Sequence, residues 1–480
     1  MLRNTEKSRL ASSIVGVAAL GILLFWGVHV FLLRWMAEHQ SKLGALTETY
    51  LVPLHARFSP DWTWWAAPAV VTILVFLRVV LPFLLRASVG VMMLTAITSF
   101  VAISTSVSMI DGFQAYGEET HASIVLPFAR THLEYVGDVP LVERTGGPRE
   151  FIRKYSKPRF FEQLSLHSRT HPPGGALFYW AVAHIVGAGA WTAALATIGV
   201  GSLASLLVFL IVLELYGDRA GRIALIVFLL TPNVVTYAAT CADSVFAVPA
   251  MGSLYFFLRA QRPSASLSGQ LTWSALYGLS LATAAFFTYA VVFLPAFFLV
   301  LMVYRKASQF HFSRMLPTHL VGLLAFASFY VALFLWAGYD PRAAISASVA
   351  RDAEMVGTGH ESWSTYWVIS FSNLIAFGFG IGVPTLALWL RKVAFSRGEE
   401  RIDAFVGSFL WSWLLMGFST LFTLEVERVW LFLSPFVLAP VGRWLSDATT
   451  SEGDTASLRY FAAALALNTV LAEGFLDLPW

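Results

Sequence analysis

The residues of this chain with the chemistry to move a proton or hold an anion stand at the ends of apolar runs. Asp111 closes one such run in SVSMIDGFQAYGEETHAS, followed by Gly112 and then by Glu118, Glu119 and His121. A carboxylate at that boundary, partly stripped of water, can hold an acceptor hydroxyl and take its proton as a general base. It can equally be a hydrated residue at a helix end. Glu118 and His121 stand three apart, so on a helix they share a face. With Asp111 they could ligate a divalent cation, or they form an ordinary solvated face. No GxGxxG, P-loop or HExxH pattern calls for a cofactor.

Three further clusters need a reason. In Arg169-Thr170-His171-Pro172-Pro173-Gly174-Gly175 the paired prolines suit the first turn of a helix and set His171 at its mouth. A protonated His171 backed by Arg169 would neutralise a phosphate there, and a purely structural histidine is the alternative. In TPNVVTYAATCADSVFA, Asp243 opens an apolar run. A helix-capping or first-turn role accounts for it, with substrate binding the other reading. In Glu425-Val426-Glu427-Arg428-Val429-Trp430, Glu427 and Arg428 either pair at the interface or present Arg428 to a phosphate, which its planar fork suits. The stretch 338–365 adds Arg342, Arg351, Asp352, Glu354, His360 and Glu361, as a solvated loop or as a lid.

The elements that position these residues follow from composition. Of 480 residues 57% are hydrophobic and only 13% charged, against roughly 25% charged in soluble domains. Mean hydropathy is +0.67. This excludes a soluble enzyme, and a net charge of +3 without a basic patch excludes nucleic acid as a partner. The single cysteine, Cys241, can form neither an internal disulfide nor a cysteine metal cluster.

The expected fold class is all-α, a polytopic transmembrane helical bundle forming one domain over 1–480. Its spans run over about residues 11–33, 63–84, 88–110, 191–215, 223–239, 243–258, 273–287, 288–304, 317–337, 366–390, 404–423, 429–445 and 459–475, about 13 in all. The first, behind Arg3, Lys7 and Arg9, reads as an uncleaved anchor with a cytoplasmic N-terminus. Lys and Arg near Arg219, Arg259, Arg305 and Arg391 suit the cytoplasm. That leaves two large extracytoplasmic loops, 111–172 and 338–365, on the side of Asp111, His171, Asp243 and Glu427. Residues 174–187 are too short to cross and read as a partial or re-entrant helix. The loop 111–172 mixes balanced charge with aromatics such as Tyr116, Tyr155, Phe160 and Phe161, so short helices along the membrane surface are expected.

The order of these parts resembles the GT-C superfamily of integral-membrane glycosyltransferases, whose protein mannosyltransferase and lipid A aminoarabinose transferase branches use polyprenyl-phosphate sugars. The parts are a span ending in Asp111, a long outer loop, the His-Pro-Pro start at His171, a Gly-Asp-Arg turn at Gly217, and a Thr-Pro turn at Thr231 followed by Asp243. The resemblance covers roughly residues 88–305. It departs at Gly112, where the family often has a second acidic residue, and in having two spans before Asp111 rather than one.

The resemblance implies inverting transfer of a sugar from a polyprenyl-phosphate donor to a glycan, lipid or protein acceptor outside the cytoplasm, in a bacterial inner membrane. Asp111 would be the base, with Glu118 or Glu119 next in line. His171, with Arg169 or Arg428, would hold the departing phosphate, and Tyr116, Tyr155 and Trp180 could stack on sugars. A secondary transporter or lipid-linked-sugar flippase is the alternative, but its usual internal repeats and midplane charges are not found, Arg78 excepted. A catalytically silent scaffold of an envelope-assembly complex is a third reading.

Overall fold

The computed structural model describes residues 4–39, 51, 54–303, 310–356, 360–395, 404–422, 425–449 and 455–477. Helices dominate, with two antiparallel two-stranded pairings, Arg57–Phe58 with Leu476–Asp477 and Phe113–Tyr116 with Glu119–Ala122. Among the described residues five helices are long and apolar enough to cross a bilayer: Ser13–Phe31, Ala66–Leu84, Val89–Ser108, Ala190–Tyr216 and Phe312–Ala337. Counting each of two bent pairs as one span gives at most seven.

That falls short of the about 13 spans that the apolar runs predict. Proline and glycine divide the runs. The stretch 223–239 becomes Asp218–Phe228 and Pro232–Ala238, bent by 57° at Thr231-Pro232, and 366–390 bends by 113° at Gly382. Proline suits the first turn of the second helix but cannot continue the first. Gly174–Val186 has 13 residues, about 20 Å of helix against the roughly 30 Å of a hydrocarbon core. Arg78, a charge within one of the apolar runs, sits exposed within a π-helical turn, Phe76–Val80.

The main apolar core lies where Leu203–Tyr216, Asp218–Phe228, Asp243–Gln261, Phe293–Val303 and Ser434–Ala448 meet. Arg222 ties this bundle to the turn before Val89–Ser108, donating from Nη1 to Leu84 O and Ala87 O at 2.7 and 2.8 Å. The segment after Asp111 is ordered. A β-hairpin comes first, then short helices at Leu126–Ala129, Tyr135–Asp138, Val139–Arg144, Pro148–Lys154, Pro158–Phe161 and Leu166–Thr170. Its aromatics form a core of their own, in which Phe151, Tyr155, Phe160 and Phe161 pack with Ala337, Tyr339 and Ala344. Burial of that kind is what separates a folded segment from a solvated tether.

Candidate active site

Asp111 lies just past the end of Val89–Ser108, in a turn fixed from two sides. From the N-terminal side, Thr63 donates through its backbone N and Oγ1 to Ile110 O, at 3.3 and 2.6 Å. From the hairpin, Ser123 does the same to Gly112 O, at 3.0 and 2.6 Å. Gly112 has φ +74°, and a Cβ there would stand 3.1 Å from both Thr63 Oγ1 and Trp65 Cδ1. The position therefore favours glycine on two grounds, which explains why no second acid follows Asp111.

Asp111 opens into a small cavity of about 30 Å³, shared with Arg130, Thr236, Thr240, Glu473 and Asp477. Burial, and then the negative charges of Asp477 and Asp61, push its carboxyl up to about 7. Loss of water disfavours the charged form, and nearby carboxylates disfavour it further. Asp477, which lines the cavity, is held by its strand pairing with Arg57, and Ser59 N donates to Phe475 O at 3.0 Å.

Glu118, Glu119 and His121 do not join Asp111. They form the turn and second strand of the hairpin, so the shared helix face expected of Glu118 and His121 does not exist. Strand alternation instead puts Glu119 and His121 on one side, with Glu119 Oε2 3.6 Å from His121 Nε2. All three line a different and larger cavity, about 590 Å³, whose walls include Tyr116, Phe128 and Tyr179. The described residues contain no group of three or more His, Cys, Asp or Glu able to hold a metal ion. The metal set of Asp111, Glu118 and His121 is therefore not assembled.

His171, Asp243, Glu427 and Arg428 form a third, closed cluster. Asp243 lies in the first turn of its helix but caps nothing. Its Oδ2 is 3.1 Å from Arg428 Nη1 and accepts a hydrogen bond from Cys241 Sγ at 2.8 Å. Arg428 also donates to Cys241 Sγ at 2.9 Å and pairs with Glu425. His55 completes the set, its backbone N donating to Glu427 Oε1 and its Nδ1 meeting Glu425 Oε1, both at 2.9 Å. Burial would raise the Glu425 carboxyl, but Arg428 and His55 outweigh it and hold it well below the usual range. At Glu427 burial outweighs the hydrogen bond and charge of His55 and pushes the carboxyl up.

The His171 ring packs against Tyr135 and Phe246, with centroids at 5.9 and 6.5 Å. Its Nδ1 faces His167 O at 3.2 Å. Thr170 Oγ1 lies 3.1 Å from the same nitrogen and can give or take a proton, so either tautomer finds a partner there. Burial pushes the imidazole down to about 4, against the pull of Asp243 and together with His167 and Arg428. His171 is thus neutral at pH 7, not the cation its sequence context suggests. Arg169 stands 3.5 Å from Glu162, and its Nε is buried with no hydrogen-bond partner among the described residues. Tyr155 is not free to stack on a sugar, since it is fully buried and its hydroxyl donates to Ser168 O and His171 O.

Sequence reasoning missed Arg130, Glu473 and Asp477. A signal existed for Glu473, a lone carboxylate inside the apolar run 459–475, because such a charge demands a reason.

Residues 170–336 match the family model of dolichyl-phosphate-mannose-protein mannosyltransferase. The resemblance read from the motifs holds over this segment, which includes His171 and Asp243 but not Asp111. Among solved structures the chain is similar to ArnT from Cupriavidus metallidurans in the apo state. The identity is 16%, the TM-score 0.49, and coverage 81% of this chain and 78% of that one. ArnT bound to undecaprenyl phosphate gives 17%, 0.47, 81% and 71%. The archaeal oligosaccharyltransferase AglB from Archaeoglobus fulgidus, in complex with an inhibitory peptide and a dolichol-phosphate, gives 14%, 0.33, 86% and 55%. No curated protein matches the chain.

Proposed function

We propose that this chain transfers a sugar from a polyprenyl-phosphate donor to a glycan, lipid or protein acceptor on the extracytoplasmic face of a cell membrane. The observation that carries the reading is the Asp111 carboxyl, held in a polar cavity at the end of Val89–Ser108 and pushed up to about 7. A base works best when its pKa lies near the working pH. Asp111 takes the acceptor's hydroxyl proton while that oxygen attacks the anomeric carbon. The bond from that carbon to the phosphate oxygen breaks, the electron pair leaves on the lipid phosphate, and the configuration inverts.

Charge growing on the departing phosphate calls for a fixed cation. Arg130 lines the same cavity as Asp111, and Arg169 follows it where the loop returns. Asp243, Glu427 and Arg428 act from behind, fixing the turn that supplies Thr236 and Thr240 to the cavity. Neutral His171 orients this wall. Glu118 and Glu119 meet a polar part of the acceptor at the mouth of the larger cavity, whose apolar walls suit its hydrocarbon or aromatic portion.

The test is transfer in proteoliposomes with a panel of undecaprenyl-phosphate sugars. Asp111→Asn should fold, retain donor binding and lose a factor of about 100 to 10,000 in rate. Near wild-type transfer by this variant would remove Asp111 as base.

A further inference from the structure

Glu473 comes from the far end of the chain, near the close of Thr455–Phe475. It is 7% exposed, and its Oε2 is buried with no hydrogen-bond partner among the described residues. A carboxylate oxygen left in that condition carries a full desolvation penalty unless it holds a proton or meets a donor from outside the chain. Glu473 lines the Asp111 cavity. At about 30 Å³ that space is small, and both carboxyl-bearing residues line it.

The neighbourhood is specific. At the next residue, a Cβ on Gly474 would stand 2.3 Å from the Trp62 ring. The glycine thus lets Trp62 of the 57–63 strap lie against the helix end next to Glu473. The charged groups facing Asp111 come from four places: Glu473 on the last helix, Asp477 on the strand after it, Asp61 on the strap, and Arg130 after Leu126–Ala129. Arg57 stands opposite Asp477 in the strand pairing. Val89–Ser108 and the Pro232–Thr240 region add Ser108, Thr236 and Thr240, and the hairpin segment adds Gln114 and Ser123, none of them charged.

From this geometry we infer that Glu473 is the partner carboxylate of Asp111, a positioning residue that shares one proton with it across the cavity. Two carboxylates so placed do not both ionise readily, and they titrate as a pair. The incoming hydroxyl then meets Asp111 as the base and Glu473 as a second acceptor that aligns it. The catalytic meaning rests on Asp111 being the base. The pairing itself does not.

Dicyclohexylcarbodiimide reacts with protonated carboxyls in apolar surroundings, and peptide mass spectrometry resolves Asp111 from Glu473. In the full-length detergent-solubilised protein, Asp111 labelling should be half-maximal near pH 7. In Glu473→Gln that midpoint should move by about one unit or more, because the shared proton has lost one of its two carboxyls. Glu473→Met, of similar size and uncharged, should shift it the same way and covers the case in which the glutamine variant does not fold. Glu473→Asp should keep the midpoint near wild type. An unmoved midpoint in folded Gln or Met variants overturns the pairing. A shifted midpoint combined with full transfer by Asp111→Asn upholds the pairing and overturns the base assignment instead.

Discussion

Arg428 Nη1 lies 3.1 Å from Asp243 Oδ2, and the two residues are 3% and 5% exposed. A buried pair of this kind is weak evidence of net stability, yet removing one partner is costly because the other is left charged and dry. Arg428→Met should therefore destabilise by about 3–5 kcal/mol. Asp243→Asn added to it should recover part of the loss, since the two positions share one network. Thermal unfolding in detergent reads both, and simple additivity would show that the pair does not act as a unit.

Asp111 makes both stability and rate depend on pH, in opposite directions. Its carboxyl is raised from 3.8 to about 7 in the folded chain. Between those values the folded chain holds a proton that the unfolded chain has released. The stabilisation is complete below the lower value and is lost as pH rises through the upper one. Asp111→Asn removes this dependence, so its melting temperature relative to wild type should climb from pH 4 to pH 8. Transfer by the wild type should rise over the upper part of the same range, as the base becomes available. A variant whose relative stability is flat across that range would mean that Asp111 is not perturbed.

Gly112→Ala forces a side chain into φ +74° and within 3.1 Å of Thr63 and Trp65. Left-handed backbone alone costs about 1–2 kcal/mol for a residue with a Cβ. The loss should appear in thermal unfolding, with a fall in transfer as the neighbouring Asp111 is displaced. A neutral outcome in both would show that the turn relaxes without consequence.

The two faces of the membrane can be told apart with a thiol reagent. Glu118 is exposed at the hairpin turn and Ser264 in the loop that follows Arg259 and Arg262, so Glu118→Cys and Ser264→Cys place thiols at both. The native Cys241 is buried. An impermeant maleimide should label position 118 in intact cells and position 264 only after permeabilisation. Labelling of position 264 from outside would reverse the orientation.

Local chemistry was legible in the sequence, while the pairing of distant parts was not. Asp111 stands at a helix end as its apolar run implies, and the aromatic loop folds into short helices. The Pro172-Pro173 step does start a helix, Gly174–Val186, with the short length its run implies. The hairpin was readable in principle, with Gly117 between alternating residues at φ +65°, but helical spacing of Glu118 and His121 competed with it. Bends at Pro232 and Gly382 cut apolar runs that hydropathy alone treats as spans. The neutrality of His171 depends on Tyr135 and Phe246, and the cavity's membership depends on Glu473. Both arise from tertiary contacts that no local window contains.

The pairing of Arg57 with Asp477 also sets an order of events during synthesis. Early on, a nascent chain can form the helix that ends near Asp111 and the hairpin beyond it. Its cavity stays open on one side until Thr455–Phe475 has left the ribosome, inserted and docked under the 57–63 strap. The cavity beside Asp111 is thus completed only by the last described helix and strand. A chain cut short before Glu473 would therefore lack two of the carboxylates that line the cavity, Glu473 and Asp477.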